Sequence, residues 1–84
     1  MSKRIMIVED SVDISLLLGR LLEDVYEVET WTHDFRALLA AAPWAGVTIA
    51  IVDLMLPDVP GIKILQYLKT EHPRVRRVVA TASR

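Results

Sequence analysis

With 84 residues, no cysteine and a formal net charge of -1, the chain is excluded from several classes before any motif is read. It has no disulfide framework or thiolate metal site, no basic surplus for holding nucleic acid, and no apolar run near the roughly 18 residues of a membrane span. Hydrophobic residues at 52% and charged residues at 25% fit one small folded domain with a modest core, since a chain this short buries only about 60–65% of its unfolded surface.

Met1-Ser2-Lys3-Arg4 leads into the apolar run Ile5-Met6-Ile7-Val8, which meets Glu9-Asp10 too soon to form the core of a secretory leader. A cytoplasmic location is therefore expected, and the run reads as a first strand. Ser11 stands where a helix cap is wanted. Ile14, Leu17, Leu18, Leu21 and Val25 then recur at helical spacing as one apolar stripe, with Val12 and Leu16 off it on the far side. Tyr26-Glu27-Val28-Glu29-Thr30-Trp31 alternates with period two, the mark of a strand with one wetter face at a sheet edge. His33-Asp34 leads to a short helix carrying Phe35, Leu38, Leu39 and Ala42, stopped by Pro43. Ile49-Ala50-Ile51-Val52 is a continuous apolar run that ends abruptly in Asp53; such a run is expected to be a strand buried on both faces. After a Pro-bounded loop over 57–61, Ile64, Leu65 and Leu68 mark a third helix ending near Glu71-His72-Pro73. Arg74-Val75-Arg76-Arg77 reads as a charged connection and Val78-Val79-Ala80-Thr81-Ala82 as a fourth strand.

Strands alternating with helices, βαβαβαβ, imply right-handed crossovers and a parallel sheet with helices on both faces. The fold class is α/β, a flavodoxin-like doubly wound sheet with strand order 2-1-3-4, in which ligands bind at the carboxyl ends of the strands beside the switch point. Strands one and three both end in acid, so this topology brings Glu9, Asp10 and Asp53 to one crevice. Three carboxylates so placed repel and raise one another's pKa. A hard divalent cation relieves this, and Mg²⁺ prefers oxygen ligands while keeping several waters. A carboxylate beside such a metal can attack phosphorus.

Glu9-Asp10 after strand one, Asp53-Leu54-Met55-Leu56-Pro57-Asp58 with Gly61 after strand three, and Thr81-Ala82 after strand four together give the chain a close resemblance to the receiver domain of bacterial two-component response regulators. The resemblance implies that Asp53 is the phosphoacceptor, taking a phosphoryl group from a sensor histidine kinase. It implies that Asp10, Asp53 and the backbone carbonyl of Met55 hold Mg²⁺ and that Glu9 assists through water. Thr81 would turn its hydroxyl onto the phosphoryl oxygens, Ala82 would leave that group room, and Gly61 would shape the loop beside the site. The chain would be an acceptor in a relay and not an enzyme, with no direct nucleic-acid or membrane contact.

Two departures from the family pattern stand out. Pro60 occupies a position that is commonly acidic, which stiffens the loop. A receiver usually runs to about 120 residues, a common domain size, so residues 1–84 are expected to be a single receiver domain cut short after the fourth strand, without the last strand and last two helices. The lysine that ends the fifth strand has no counterpart in Lys3, Lys63 or Lys69. Such a chain would leave Val78-Val79-Ala80 as an open edge and uncover part of the face beside the first helix, favouring self-association.

Each residue also has a plainer reading. Asp53 alone could begin a turn, Asp10 could be only a helix cap, Glu9 a solvated charge, and Thr81 suits any strand. His33 and His72 read as surface residues, Trp31 and Trp44 as packing, and Arg74, Arg76 and Arg77 as a solvated connection. The alternative function is a phosphotransfer-impaired interaction module that keeps the fold. A phosphatase of the haloacid dehalogenase type would need a second Asp two residues after the first, where this chain has Met55.

Overall fold

The computed structural model describes residues 3–40 and 43–80. In chain order they form β1 (Lys3–Val8), α1 (Val12–Leu22), β2 (Tyr26–Trp31), a 3-10 helix (Phe35–Leu39), β3 (Val47–Asp53), α2 (Gly61–Glu71) and β4 (Arg76–Ala80). The strands make one parallel sheet in the order β2-β1-β3-β4, the expected doubly wound arrangement. No helix among the described residues is long and apolar enough to cross a membrane.

Register assigns the faces. Met6 and Val8 lie level with Ala50 and Val52. All four are fully buried with Phe35, Leu38, Ile64 and Leu68 beneath the 3-10 helix and α2. Ile5 and Ile7, on the opposite pleat, lie on the face that carries α1. β3 is thus sealed on one face only: Ala50 and Val52 are buried, whereas Ile49 and Ile51 are half-buried. β4, at the edge, leaves Val78 and Val79 exposed.

The face of α1 differs from the apolar stripe expected from spacing. Ser15 is buried and Ile14, Leu18 and Leu22 are half-buried toward the sheet, while Leu17, Leu21 and Val25 are exposed along with Val12 and Leu16. The helix is apolar around most of its circumference, so periodicity finds a stripe without saying which one meets the sheet. Val25 also lies beyond the helix, which ends at Leu22.

The second helix is a single tight 3-10 segment. Asp34 enters it in the left-handed region at φ 50. The Trp31 indole donates to the Asp34 carbonyl at 3.0 Å, and Asp58 accepts from the Arg36 N–H at 3.2 Å, tying the segment to the loop after β3. Ala42 lies outside the described residues. His72, expected at the surface, is half-buried between the rings of Trp44 and Tyr67, with centroids 6.3 and 5.6 Å away. Arg76 and Arg77 belong to β4 and not to the connection before it.

Candidate functional site

β1 and β3 are neighbours that stop at the same level, Val8 opposite Val52. Glu9 and Asp10 follow the end of β1, and Asp53 is the last residue of β3. Carboxylate oxygens of these three residues lie within 4.8 Å of one another. Glu9 and Asp53 are buried, at 3% and 1% exposure, and Asp10 is half-buried. The predicted convergence of residues remote in sequence is therefore present.

Local backbone fixes half of each buried carboxylate. The Met55 N–H donates to Asp53 Oδ1 at 2.9 Å, and the Ser11 N–H donates to Glu9 Oε2 at 3.1 Å. Ser11, and not Asp10, caps α1: its hydroxyl accepts from the Ile14 N–H at 3.3 Å. Asp10 is thereby left facing the other two acids. Asp10 Oδ1 and Asp53 Oδ2 are buried with no hydrogen-bond partner among the described residues.

The electrostatics follow from this burial. Glu9 is raised from 4.5 to about 7, chiefly by desolvation, then by the neighbouring Asp53 and Asp10, with the Ser11 N–H pulling the other way. Orphaned anionic oxygens in a buried cluster are costly. An all-oxygen donor set with two unpartnered atoms suits a hard divalent cation.

Gly61 closes the site from below. Its N–H donates to the Leu54 carbonyl at 3.1 Å. A Cβ there would sit 2.7 Å from Leu54 Cα and 2.8 Å from Asp53 C, so only glycine allows the start of α2 to approach the end of β3 this closely. Met55 itself is exposed on the loop. Thr81 and Ala82 lie outside the described residues. The backbone donors of Ser11 and Met55 escaped the sequence reading, because a main-chain N–H carries no residue-type signature; the helix-cap position of Ser11 was the available hint.

Residues 5–84 match the family model of the response regulator receiver domain. The chain belongs to that family. This receiver is 30% identical over 81 residues to response regulator RppA of Synechocystis, covering 94% of the chain and 35% of the relative. It is 29% identical over 73 residues to regulatory protein VanRc of Enterococcus gallinarum, covering 86% of the chain and 31% of the relative. The receiver thus spans about a third of the length of these curated relatives. Among solved structures it is similar to the response regulator protein TrrA of Thermotoga maritima, in complex with Mg²⁺-BeF. There the TM-score is 0.81 at 26% identity, covering 96% of this chain and 70% of that one. The signal receiver domain of a LuxO repressor protein from Vibrio parahaemolyticus shares the fold, with a TM-score of 0.84 at 24% identity over 100% of this chain and 65% of that one.

Proposed function

We propose that this receiver accepts a phosphoryl group on Asp53 from the phosphohistidine of a sensor histidine kinase, as an acceptor and not as an enzyme. The observation that carries the reading is the split role of the Asp53 carboxylate. Oδ1 is oriented by the Met55 N–H, while Oδ2 is buried with no partner among the described residues, and a carboxylate oxygen of Asp53 lies within 4.8 Å of ones of Glu9 and Asp10. A carboxylate oxygen attacks phosphorus in line, the phosphorus–nitrogen bond of the donor breaks, and the imidazole leaves, giving an aspartyl phosphate.

Asp10, Asp53 and the Met55 carbonyl would hold Mg²⁺, with Glu9 reached through water; the complex of the relative TrrA with Mg²⁺-BeF supports that choice of ion. Bound there, Mg²⁺ supplies charge neutralisation for the phosphoryl oxygens. The protein's own part is to fix the Asp53 carboxylate through the Met55 N–H, keep it buried at 1% exposure, and hold Glu9 close enough to adjust the charge of the cluster. Thr81 would report the modification by turning its hydroxyl to the phosphoryl oxygens.

Acetyl phosphate with Mg²⁺, followed by intact-mass measurement, tests the reading. One phosphoryl group should be gained, and the gain should vanish in Asp53→Asn and when the metal is chelated. No gain in the native chain would defeat it.

A second reading, an interaction module that self-associates, is favoured by one observation. Val78 and Val79 are 47% and 48% exposed on β4, whose outer edge has no partner among the described residues.

A further inference from the structure

We propose that a recess at the amino-terminal end of the sheet, lined by Lys3, Arg74 and Arg76, binds the diphosphate group of a small molecule. The inference does not rest on phosphotransfer at Asp53. In a parallel sheet all strands begin at one end and stop at the other, and Glu9, Asp10 and Asp53 stand where they stop.

Register gathers the cations. Lys3 lies level with Tyr26, where β1 and β2 begin. Arg76, the first residue of β4, lies level with Ile49, which in turn lies level with Ile5. Lys3 and Ile5 share a pleat, so Lys3, Tyr26, Ile49 and Arg76 all turn to one face of the sheet. Arg74 comes from the connection between α2 and β4. Together with Thr48 these residues line a recess of about 290 Å³.

Thr48 is there because the ladder is irregular. Arg4 is level with Val47 and Ile5 with Ile49, so Thr48 is an extra residue of β3 with no counterpart on β1. Its hydroxyl donates to the Arg4 carbonyl at 3.1 Å. Regular alternation would turn Thr48 to the face opposite Ile49, yet both line the same recess. Bulges are rare between parallel strands and often re-aim a side chain beside a site.

Charge selects the ligand. No carboxylate among the described residues lines the recess. Asp24 and Glu27 are the acids nearest Tyr26 in sequence; neither is in the lining, and Glu27 lies level with Arg4 on the opposite pleat. Arg74 also borders a neighbouring recess that includes Glu71. The ion pair found among the described residues joins Arg4 to Glu29 and involves none of Lys3, Arg74 and Arg76. All three are exposed, and a recess walled by one sign of charge attracts the other. A single phosphoryl group brings about two negative charges, fewer than three cations can meet, so two linked phosphoryl groups match the set better. Arginine forks suit phosphate oxygens, and Tyr26 adds a phenolic donor and a ring. The volume is close to the lower bound of about 300 Å³ for small-molecule sites, which fits a diphosphate or a mononucleotide.

Isothermal titration calorimetry of the 84-residue chain with pyrophosphate is the test, with EDTA present so that the carboxylate end holds no divalent cation. Saturable binding is expected with a Kd of about 0.1–1 mM, for a few charge-assisted hydrogen bonds in an open site. Lys3→Gln, Arg74→Gln and Arg76→Gln should each weaken it about fivefold or more. Arg77→Gln removes the same charge from the next residue of β4, on the opposite pleat, and should leave binding within about twofold, as should Asp53→Asn. Inorganic phosphate should bind several-fold more weakly than pyrophosphate. ADP binding at least as tightly as pyrophosphate marks a nucleotide as the source of the diphosphate, and weaker ADP binding marks free pyrophosphate. Circular dichroism checks that each variant is folded; should one fail, the other two cation variants decide. No saturable binding of pyrophosphate, phosphate bound as tightly, or full binding by folded Arg76→Gln overturns the proposal. So does an equal loss in Arg77→Gln and Arg76→Gln, since the anion would then answer to net charge alone.

Discussion

Glu9 shows most directly how one buried group ties stability to solution conditions. Its carboxyl is raised from 4.5 to about 7, mainly by desolvation. Below pH 4.5 the group is protonated in both folded and unfolded chains and has no effect. Between pH 4.5 and 7 the unfolded chain gives up its proton while the folded chain keeps it, so the folded state loses stability as pH rises; above pH 7 the loss is complete. The full span is worth at most about 3 kcal/mol. Without divalent cations, denaturation midpoints should fall from pH 5 to pH 7.5, and Glu9→Gln should flatten that slope; an unchanged slope would mean another group is responsible. The three acids were legible in the sequence because each follows an apolar run that must be a strand, and strand ends in a parallel sheet converge. His72 was not. Its half-burial arises where the loop carrying Trp44 meets the end of α2, which holds Tyr67 and leads into His72, and no local pattern announces the contact with Trp44.

At the scale of elements, two glycines make opposite demands. Gly61 begins α2 against the backbone of residues 53 and 54, where an added methyl collides with main-chain atoms that cannot yield without moving the site. Gly61→Ala should therefore destabilise by about 1–3 kcal/mol in spite of its better helix propensity, with a lower denaturant midpoint and slower phosphorylation by acetyl phosphate. Gly19→Ala, with only an ordinary contact to Val28 ahead of it, should stabilise by about 0.5–1 kcal/mol. Equal effects at the two positions would show that close approach is not what holds Gly61. The strands and α2 were readable from apolar runs and turn residues. The inward face of α1 was not, because Leu16, Leu17 and Leu21 give the outer side as strong an apolar signal as Ile14, Leu18 and Leu22 give the inner one. The 3-10 geometry of Phe35–Leu39 was hidden too, since it follows from the left-handed entry at Asp34 and the tie from Asp58.

For the whole molecule, the exposed apolar side chains of α1 and of the β4 edge govern behaviour in solution. Leu17, Leu21 and Val25 are 59%, 68% and 69% exposed, and Val78 and Val79 stand open at the edge. Water-exposed apolar surface of this kind drives association. A chain of these 84 residues should therefore show a mass above monomer by light scattering at tens of micromolar. Val79→Lys should shift it back toward monomer; a monodisperse native monomer would count against the idea. The sheet order has a further result for how the molecule comes into being. β1 is made first, yet it lies in the middle of the sheet, and Ile5 to Val8 become enclosed only when Val47–Asp53 takes its place alongside. Everything from β1 through Asp53 must leave the ribosome before β1 is sheltered, so this strand waits longer than β3 or β4 within reach of chaperones and of its neighbours on the same message.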